Sequence, residues 1–135
     1  MKGLKKRILV ADDNPVNRKL TATLIKLAGY NAELATDGLE VVEKYTSSPR
    51  SYGIILMDIQ MPWTNGIQAT EVIRRFEKRQ GLDPIPIIGM SADQDRKDKD
   101  LCITAGMNDF IPKPVERETM EKIFKRWLGC NSQQG

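Results

Sequence analysis

Short apolar runs alternate along this chain with segments of helical periodicity, and this alternation restricts the fold more than any other feature. The clearest run is GIILMD at residues 53–58, where four consecutive apolar residues are typical of a strand buried on both faces. Five such runs, each followed by a helical segment, favour right-handed crossover units, which build a parallel sheet covered by helices on both sides. The sequence therefore predicts a single α/β domain with a doubly wound parallel sheet.

The predicted arrangement is the flavodoxin-like (βα)5 sheet, whose strand order is 2-1-3-4-5. Its strands are predicted at residues 7–11, 30–35, 54–57, 85–90 and 110–111. Its helices are predicted between Pro15 and Gly29, over 39–45, between Gly66 and Gly81, and over 115–128.

Two further segments are described by their composition. Residues 47–51 are rich in serine and contain a proline, which predicts a loop. Residues 93–105 could form a solvated helix or a long loop, because their first half is wholly polar.

In the first helix, apolar residues recur at helical spacing; they are Val16, Leu20, Leu24 and Leu27.

The composition is that of an ordinary globular domain, with 135 residues of which 40% are apolar and 29% charged. The net charge of +3 is too small and too scattered to predict a nucleic-acid partner. The predicted divisions are a basic N-terminal arm at 1–5, a domain at 6–128 and a tail at 129–135. No apolar run approaches the roughly 20 residues of a membrane helix, so no membrane contact is expected from this segment.

Two residue types limit the chemistry and the location. Cys102 and Cys130 are the only cysteines, and two separated cysteines favour reduced thiols in a cytoplasmic protein. The chain contains no histidine, which excludes a histidine base, a histidine metal ligand and a phosphohistidine within it.

Polar side chains follow four of the five predicted strands, at the point where each strand ends. They are Asp12 and Asp13 after the first strand, Asp58 at the end of the third, Ser91 after the fourth and Lys113 after the fifth. In open parallel sheets, ligands bind beyond the carboxyl ends of the strands, at a switch point that this order places between strands one and three. The sequence therefore predicts that these five side chains form one site.

The predicted site suits phosphoryl chemistry. Three converging carboxylates repel one another, and a divalent cation relieves that repulsion. An all-oxygen ligand set favours Mg²⁺, which commonly shares its site with phosphate groups. Lys113 would supply positive charge for phosphoryl oxygens and Ser91 a hydroxyl donor. Asp58 would then act as a nucleophile and form an aspartyl-phosphate.

Each of these residues has a simpler interpretation when it is considered alone. The pair Asp12 and Asp13 is typical of a helix N-terminal cap, and Ser91 could cap the fourth helix. Lys113 alone would be a surface charge, and Asp58 alone could cap a turn. Their combination at four strand ends favours one common site over these separate roles.

Four segments resemble the receiver domain of response regulators in two-component signalling. They are VADDN at 10–14, MDIQMP at 57–62, MSA at 90–92 and FIPKP at 110–114. The resemblance covers about residues 6–128 and is strongest to the C-terminal receivers of hybrid sensor histidine kinases. It implies a phosphorelay domain that takes a phosphoryl group from a phosphohistidine and relays it or changes a partner surface.

The same resemblance implies partners and a location. The partners would be a sensor histidine kinase domain and a histidine phosphotransfer protein or domain. The chain would be cytoplasmic, either as a free-standing protein or as the cytoplasmic part of a membrane-bound hybrid kinase.

The resemblance also implies a metal and phosphate site. Asp58 would be the phosphorylated residue, and Mg²⁺ would be held by Asp12, Asp13, Asp58 and the backbone carbonyl of Gln60. Lys113 would contact the phosphoryl oxygens, and its bond to Pro114 would be cis.

Conformational switching would involve two further positions. Ser91 would move toward the phosphoryl group, and Phe110 would turn inward as the switch residue. The family more often has threonine and tyrosine at these positions, although serine and phenylalanine are accepted variants. Because Phe110 lacks a hydroxyl, its switching would depend on packing alone. Gln60 and Asp93 occupy positions that influence the lifetime of the phosphate in relatives.

Three functions are compatible with this pattern. The first is a signalling domain that accepts phosphate on Asp58; it is not an enzyme in the usual sense, although it assists its own phosphoryl transfer. The second is a Mg²⁺-dependent phosphohydrolase. Such enzymes usually place a second acid two residues after the nucleophile, where this chain has Gln60, which cannot exchange a proton usefully. The third is a docking module without phosphate, which the complete acid, hydroxyl and lysine set disfavours.

Overall fold

A computed structural model describes residues 6–61, 65–92 and 96–128, apart from the side chains of 96–98. Its five strands are β1 (Arg7–Ala11), β2 (Ala32–Ala35), β3 (Tyr52–Asp58), β4 (Ile87–Ser91) and β5 (Asp109–Pro112). Neighbouring strands pair in parallel in the order β2-β1-β3-β4-β5. The predicted flavodoxin-like order, with five helices and one domain, is therefore confirmed.

Five α-helices alternate with the strands. They are α1 (Pro15–Leu27), α2 (Gly38–Ser47), α3 (Gly66–Gln80), α4 (Arg96–Ala105) and α5 (Arg117–Trp127). The uncertain segment 93–105 is thus helical from Arg96 onward, whereas residues 93–95 lie outside the described part of the chain. The predicted arm at 1–5 and tail at 129–135 also lie outside it.

Several predicted boundaries were wrong by a few residues. Strand β4 begins at Ile87 rather than at 85. Pro86 has no N–H for the ladder, and only its carbonyl is used, by the amide of Ile55 at 2.9 Å. Helix α5 begins two residues later than predicted because Glu116, with extended backbone, is its N-cap residue. The predicted loop at 47–51 contains a short 3₁₀-helix, Pro49–Ser51.

Alternate residues of the strands supply the two layers of the core. On one face, Leu9, Ile55 and Met57 pack with residues of α2, α3 and α4, including Val41, Ile73 and Cys102. On the other face, Ile8, Leu56 and Met90 pack with residues of α1 and α5, including Ile25, Met120 and Phe124. The central strands β1, β3 and β4 are therefore buried on both faces, as their apolar runs predict, whereas the edge strands β2 and β5 are only partly buried.

Helix α1 turns a different face to the core than its apolar spacing indicates. Its buried residues are Thr21 and Ile25. By contrast, 73% of Val16, 42% of Leu20 and 56% of Leu27 remain exposed. These three residues lie on one side of the helix because their spacing is close to whole turns. We call them the α1 apolar face.

No helix among the described residues has the length and apolar character needed to cross a bilayer.

Candidate functional site

The three predicted acids converge where β1 and β3 end. Strands β1 and β3 are neighbours, with Ala11 paired to Met57, so Asp12 and Asp58 emerge side by side. Asp12 and Asp58 are buried, whereas Asp13 is exposed. One carboxylate oxygen from each of the three lies within 4.8 Å of the others. The sheet order therefore brings Asp58 together with acids that lie 45 and 46 residues before it in the sequence.

Lys113 supplies the positive charge that the sequence around Asp58 does not. Its Nζ donates a hydrogen bond to Asp58 Oδ2 at 3.0 Å and lies 3.0 Å from Asp12 Oδ2 as an ion pair. Its backbone amide donates to the carbonyl of Ser91 at 2.9 Å, which fixes the segment after β5 against the end of β4. The Lys113–Pro114 bond is cis, as the resemblance implies.

The electrostatics of the site favour a bound cation. Burial raises the pKa of Asp58 to about 6, although the amide of Gln60 and the ammonium of Lys113 act to lower it. Burial acts to lower the pKa of Lys113, but hydrogen bonds and charges from Asp58 and Asp12 raise it above its ordinary value. Three carboxylates share one ammonium here, so a bound cation would offset the remaining negative charge.

The donor set fits Mg²⁺. Asp12 Oδ2 is buried, and the Lys113 ammonium that lies 3.0 Å from it is shared with Asp58 Oδ2. Three carboxylates that share one ammonium, in an all-oxygen set open to solvent at Asp13, suit a small hard cation that keeps several waters. Asp12, Asp13 and Asp58 are the residues that would hold it.

Short-range hydrogen bonds orient the carboxylates. The amide of Asn14 donates to Asp12 Oδ1 and the amide of Gln60 donates to Asp58 Oδ1, each at 3.0 Å. Asn14 also caps α1 by accepting from the amides of Val16 and Asn17. In each loop, the carboxylate at the end of the strand therefore accepts a hydrogen bond from the amide two residues later, and this bond holds the loop in place.

Gly66 allows α3 to start close behind Asp58. A Cβ at this position would overlap the backbone oxygen of Asp58 and would lie 2.9 Å from Cα of Ile59. Its amide donates to the carbonyl of Ile59 at 3.3 Å. Any larger residue would therefore displace the end of β3 or the start of α3, and with it the Asp58 side chain.

Ser91 and Phe110, predicted as the switch pair, lie on adjacent strands. Ser91 is the buried last residue of β4 and pairs with Pro112 in the ladder. Phe110 is half-buried and pairs with Gly89. A Cβ on Gly89 would lie 3.3 Å from the Phe110 ring and 2.7 Å from the Met107 sulfur. The ring thus rests over a position that has no side chain. Asp93 lies outside the described residues.

One hydrogen bond at the site was not predicted from the sequence. Arg18 Nη1 donates to the backbone carbonyl of Asp12 at 2.8 Å. Its position one turn after the cap Asn14 is a usable signal, because helical side chains lean toward the N-terminus. The acceptor, however, is a backbone atom, which no residue pattern reveals.

Solved structures of similar fold include receiver domains. The receiver domain of the sensor histidine kinase PA1611 from Pseudomonas aeruginosa, determined with magnesium in its active-site cleft, is 34% identical with a TM-score of 0.81, over 91% of this chain and 97% of that one. The receiver domain of the response regulator Ssk1 from Saccharomyces cerevisiae, in complex with the phosphotransfer protein Ypd1, is 29% identical with a TM-score of 0.86, over 95% and 91%.

Sequence relatives give the same assignment. The CAI-1 autoinducer sensor kinase/phosphatase CqsS of Vibrio cholerae is 40% identical over 124 residues, which are 92% of this chain and 18% of that protein. The chain spans between 5% and 27% of the length of the curated relatives compared with it, several of which are hybrid histidine kinases. The sequence model of the response regulator receiver domain matches residues 8–125, so the chain belongs to the response regulator receiver domain family.

Proposed function

We propose that Asp58 is the phosphoryl acceptor of this receiver domain, within a domain spanning residues 6–128 in a cytoplasmic two-component phosphorelay. The observation that carries this proposal is the position of Lys113 Nζ, 3.0 Å from both Asp12 and Asp58 at the carboxyl end of the sheet. Burying two carboxylates and an ammonium costs free energy because each group loses hydration, so such a cluster indicates a functional role. A dianionic phosphoryl group beside a divalent cation would use all three.

The transfer step follows from these groups. A carboxylate oxygen of Asp58 would form a bond to phosphorus while the P–N bond to the donor histidine breaks, and the bond electrons would leave with the imidazole nitrogen. Bound Mg²⁺ would neutralise charge on the transferring phosphoryl oxygens. Lys113 would move its hydrogen bond from Asp58 to a phosphoryl oxygen, and Ser91 would offer its hydroxyl.

Switching would follow from the new charge at the site. A phosphoryl group adds about −1.5 to −2 charge at neutral pH, which gives Lys113 and Ser91 a stronger acceptor than the carboxylate alone. Because Ser91 and Phe110 lie on paired strands, movement at Ser91 would reach Phe110 through β4 and β5. The surface of α4, β5 and α5 would then shift between two populations.

A simple phosphorylation assay tests the proposal. The chain, incubated with Mg²⁺ and acetyl phosphate, is expected to gain one phosphoryl group by intact mass, and hydroxylamine should remove it because acyl phosphates are labile to this nucleophile. Addition of EDTA should prevent the gain. A chain that gains no mass at millimolar Mg²⁺ would contradict the proposal, and steady release of phosphate from a model ester at enzymatic rates would favour a phosphohydrolase.

The phosphoryl partner is proposed to dock on the α1 apolar face. A donor histidine must approach Asp58, and the first turn of α1 is tied directly to the site because Asn14 bonds both Asp12 and Val16. The solvent-exposed apolar residues Val16 and Leu20 therefore lie next to the approach path. An apolar patch beside a polar site is typical of a protein interface.

Substitution Leu20→Glu is expected to slow phosphoryl transfer between this chain and the phosphotransfer protein Ypd1 by about tenfold, as the loss of one central apolar contact would cause. The acetyl phosphate reaction should be unchanged because a small donor needs no docking surface. Transfer is measured with radiolabelled phosphate. The matched control is Leu101→Glu, which charges a similarly exposed leucine on α4. Equal effects of the two substitutions would contradict this docking surface.

A further inference from the structure

Arg18 lies on α1, and its guanidinium reaches back to the end of β1. Its backbone amide donates to the carbonyl of Asn14 at 2.9 Å in the first helical hydrogen bond, while Nη1 donates to the carbonyl of Asp12 at 2.8 Å. The Asn14 cap fixes the rotation of the helix and so the direction in which Arg18 points. The side-chain contact is therefore built into the start of α1.

The carbonyl that Arg18 holds belongs to the peptide joining two of the acids. A peptide group is planar, so fixing the carbonyl oxygen of Asp12 also fixes the amide and Cα positions of Asp13. The remaining polar groups of Asp12 are restrained as well: its amide donates to Ala35 at 3.1 Å, and its Oδ1 accepts from Asn14. Without Arg18, the peptide leading to the exposed Asp13 would lose its restraint on this side.

The charge of the guanidinium also acts on a carboxylate of α2. The pKa of Glu40, at the start of α2, is held below its ordinary value by the amide of Thr36 and, more weakly, by the charges of Lys44 and Arg18. The carboxylate of Glu40 therefore compensates part of the field of the Arg18 charge.

We propose that Arg18 is a positioning residue for the metal site, which fixes the Asp12–Asp13 peptide so that both acids face Asp58 in the geometry that a magnesium ion requires. This inference rests on the proposed function of the site. Magnesium demands nearly octahedral geometry, so a small rotation of Asp13 costs affinity. Groups that orient metal ligands from outside typically contribute about 10–100-fold in affinity or activity.

Two effects of Arg18 have opposite signs, and they can be separated. The positive charge of the guanidinium repels a cation, so removing the charge alone would tighten Mg²⁺ binding. Losing the hydrogen bond to Asp12 would weaken it. The proposal requires the second effect to be the larger.

The test is a Mg²⁺ titration followed by NMR shifts of the amides near Asp12 and Asp58. Arg18→Ala is expected to raise the Kd for Mg²⁺ about tenfold. Arg18→Lys keeps the charge and a donor but lacks the planar fork, and it should recover part of the affinity. Lys19→Ala is the matched control, because this exposed neighbour loses the same charge without touching the site, and its Kd should stay within about twofold of the parent.

A kinetic measurement distinguishes positioning from a general loss of structure. The Arg18→Ala chain should be phosphorylated slowly by acetyl phosphate at low Mg²⁺ and at the parental rate at saturating Mg²⁺, with thermal unfolding of the metal-free chain little changed. If Arg18→Ala does not fold, Arg18→Lys alone is expected to show a raised Kd of about threefold and the same recovery at saturating Mg²⁺.

Unchanged or tighter Mg²⁺ binding in Arg18→Ala would overturn the proposal, as would a phosphorylation defect that persists at saturating Mg²⁺. Failure of the parent chain to bind Mg²⁺ or to be phosphorylated would instead overturn the proposed function, and this inference with it. The two failures are distinguished because the second is observed without any substitution.

Discussion

Asp58→Asn is expected to abolish phosphorylation of the chain by acetyl phosphate. The substitution keeps the size and one carbonyl oxygen of the side chain but removes the anionic nucleophile, and an amide cannot form the mixed anhydride. The hydrogen bond from Gln60 can still form, so the loop after β3 should keep its conformation. Intact mass spectrometry in Mg²⁺ measures the result directly.

The matched control for this substitution is Asp83→Asn, which neutralises an exposed aspartate before β4 and should leave phosphorylation at the parental level. A phosphoryl group gained equally by both variants would show that the acceptor is another residue. Absence of phosphorylation in the parent as well would favour a docking module.

Asp58→Asn should also change how stability depends on pH in metal-free buffer. The folded-state pKa of about 6 lies above the ordinary value of 3.8, so the folded chain binds this proton more tightly than the unfolded chain. The carboxyl therefore adds stability that is fully present below about pH 4 and is lost as the pH rises through about 6. Urea unfolding in EDTA should show this decline in the parent, and Asp58→Asn should lack it.

Lys113→Ala is expected to have the second large effect, on both stability and switching. It leaves the carboxylates of Asp12 and Asp58 buried without their ammonium partner. Breaking a fully buried pair costs about 3–5 kcal/mol, and we expect about 2 kcal/mol at pH 7 because water reaches the rim of the site. Mg²⁺ should restore much of this loss, since it supplies the missing positive charge.

Phosphate-induced switching, by contrast, should not recover in Lys113→Ala. Lys113 is the group proposed to transfer its hydrogen bond to the phosphoryl oxygen, and the cation cannot replace this contact with the segment after β5. NMR shifts of β5 and α5 amides on phosphorylation measure the switch, and Lys125→Ala, an exposed lysine on α5, is the control. A loss of Mg²⁺ affinity as large as the loss of switching would contradict the separate role of Lys113.

The arrangement of the sheet was predictable because a strand buried on both faces has a continuous run of apolar residues. The runs around Ile8–Ala11 and Ile54–Met57 contain no polar position, and crossover handedness then leaves few topologies. The ends of strands were less predictable where a single backbone N–H determines whether a residue joins the ladder. Strand β4 begins only at Ile87 because Pro86 before it lacks an N–H, although the apolar pattern starts at Ile85.

The α1 apolar face shows a limit of periodicity. Val16, Leu20 and Leu27 have the spacing of a core face, yet they are exposed, and the buried residues of the helix are Thr21 and Ile25. Periodicity indicates that a helix has an apolar side but not what covers that side. In this chain the exposed side is the one proposed to meet a partner, and the sequence does not distinguish a partner from a core.

The positions of the acids in the site were predictable, but the contacts that hold them in place were not. Asp12, Asp13, Asp58 and Lys113 all lie at or directly after the ends of strands, and the rule for parallel sheets places them together. The bond from Arg18 to the Asp12 carbonyl and the overlap that only Gly66 avoids involve backbone atoms. The raised pKa of Asp58 depends on the depth of burial, which is a property of the folded chain.

The contributions of β1, β3 and the segment after β5 to one cluster have a consequence for biosynthesis. Synthesis supplies the acids early, but their ammonium partner Lys113 is added only after the residues of the last strand. A partly assembled chain would hold like charges together without a counterion, which disfavours compact intermediates that lack β5. Competence to receive phosphate would therefore arise late, when the whole sheet has formed.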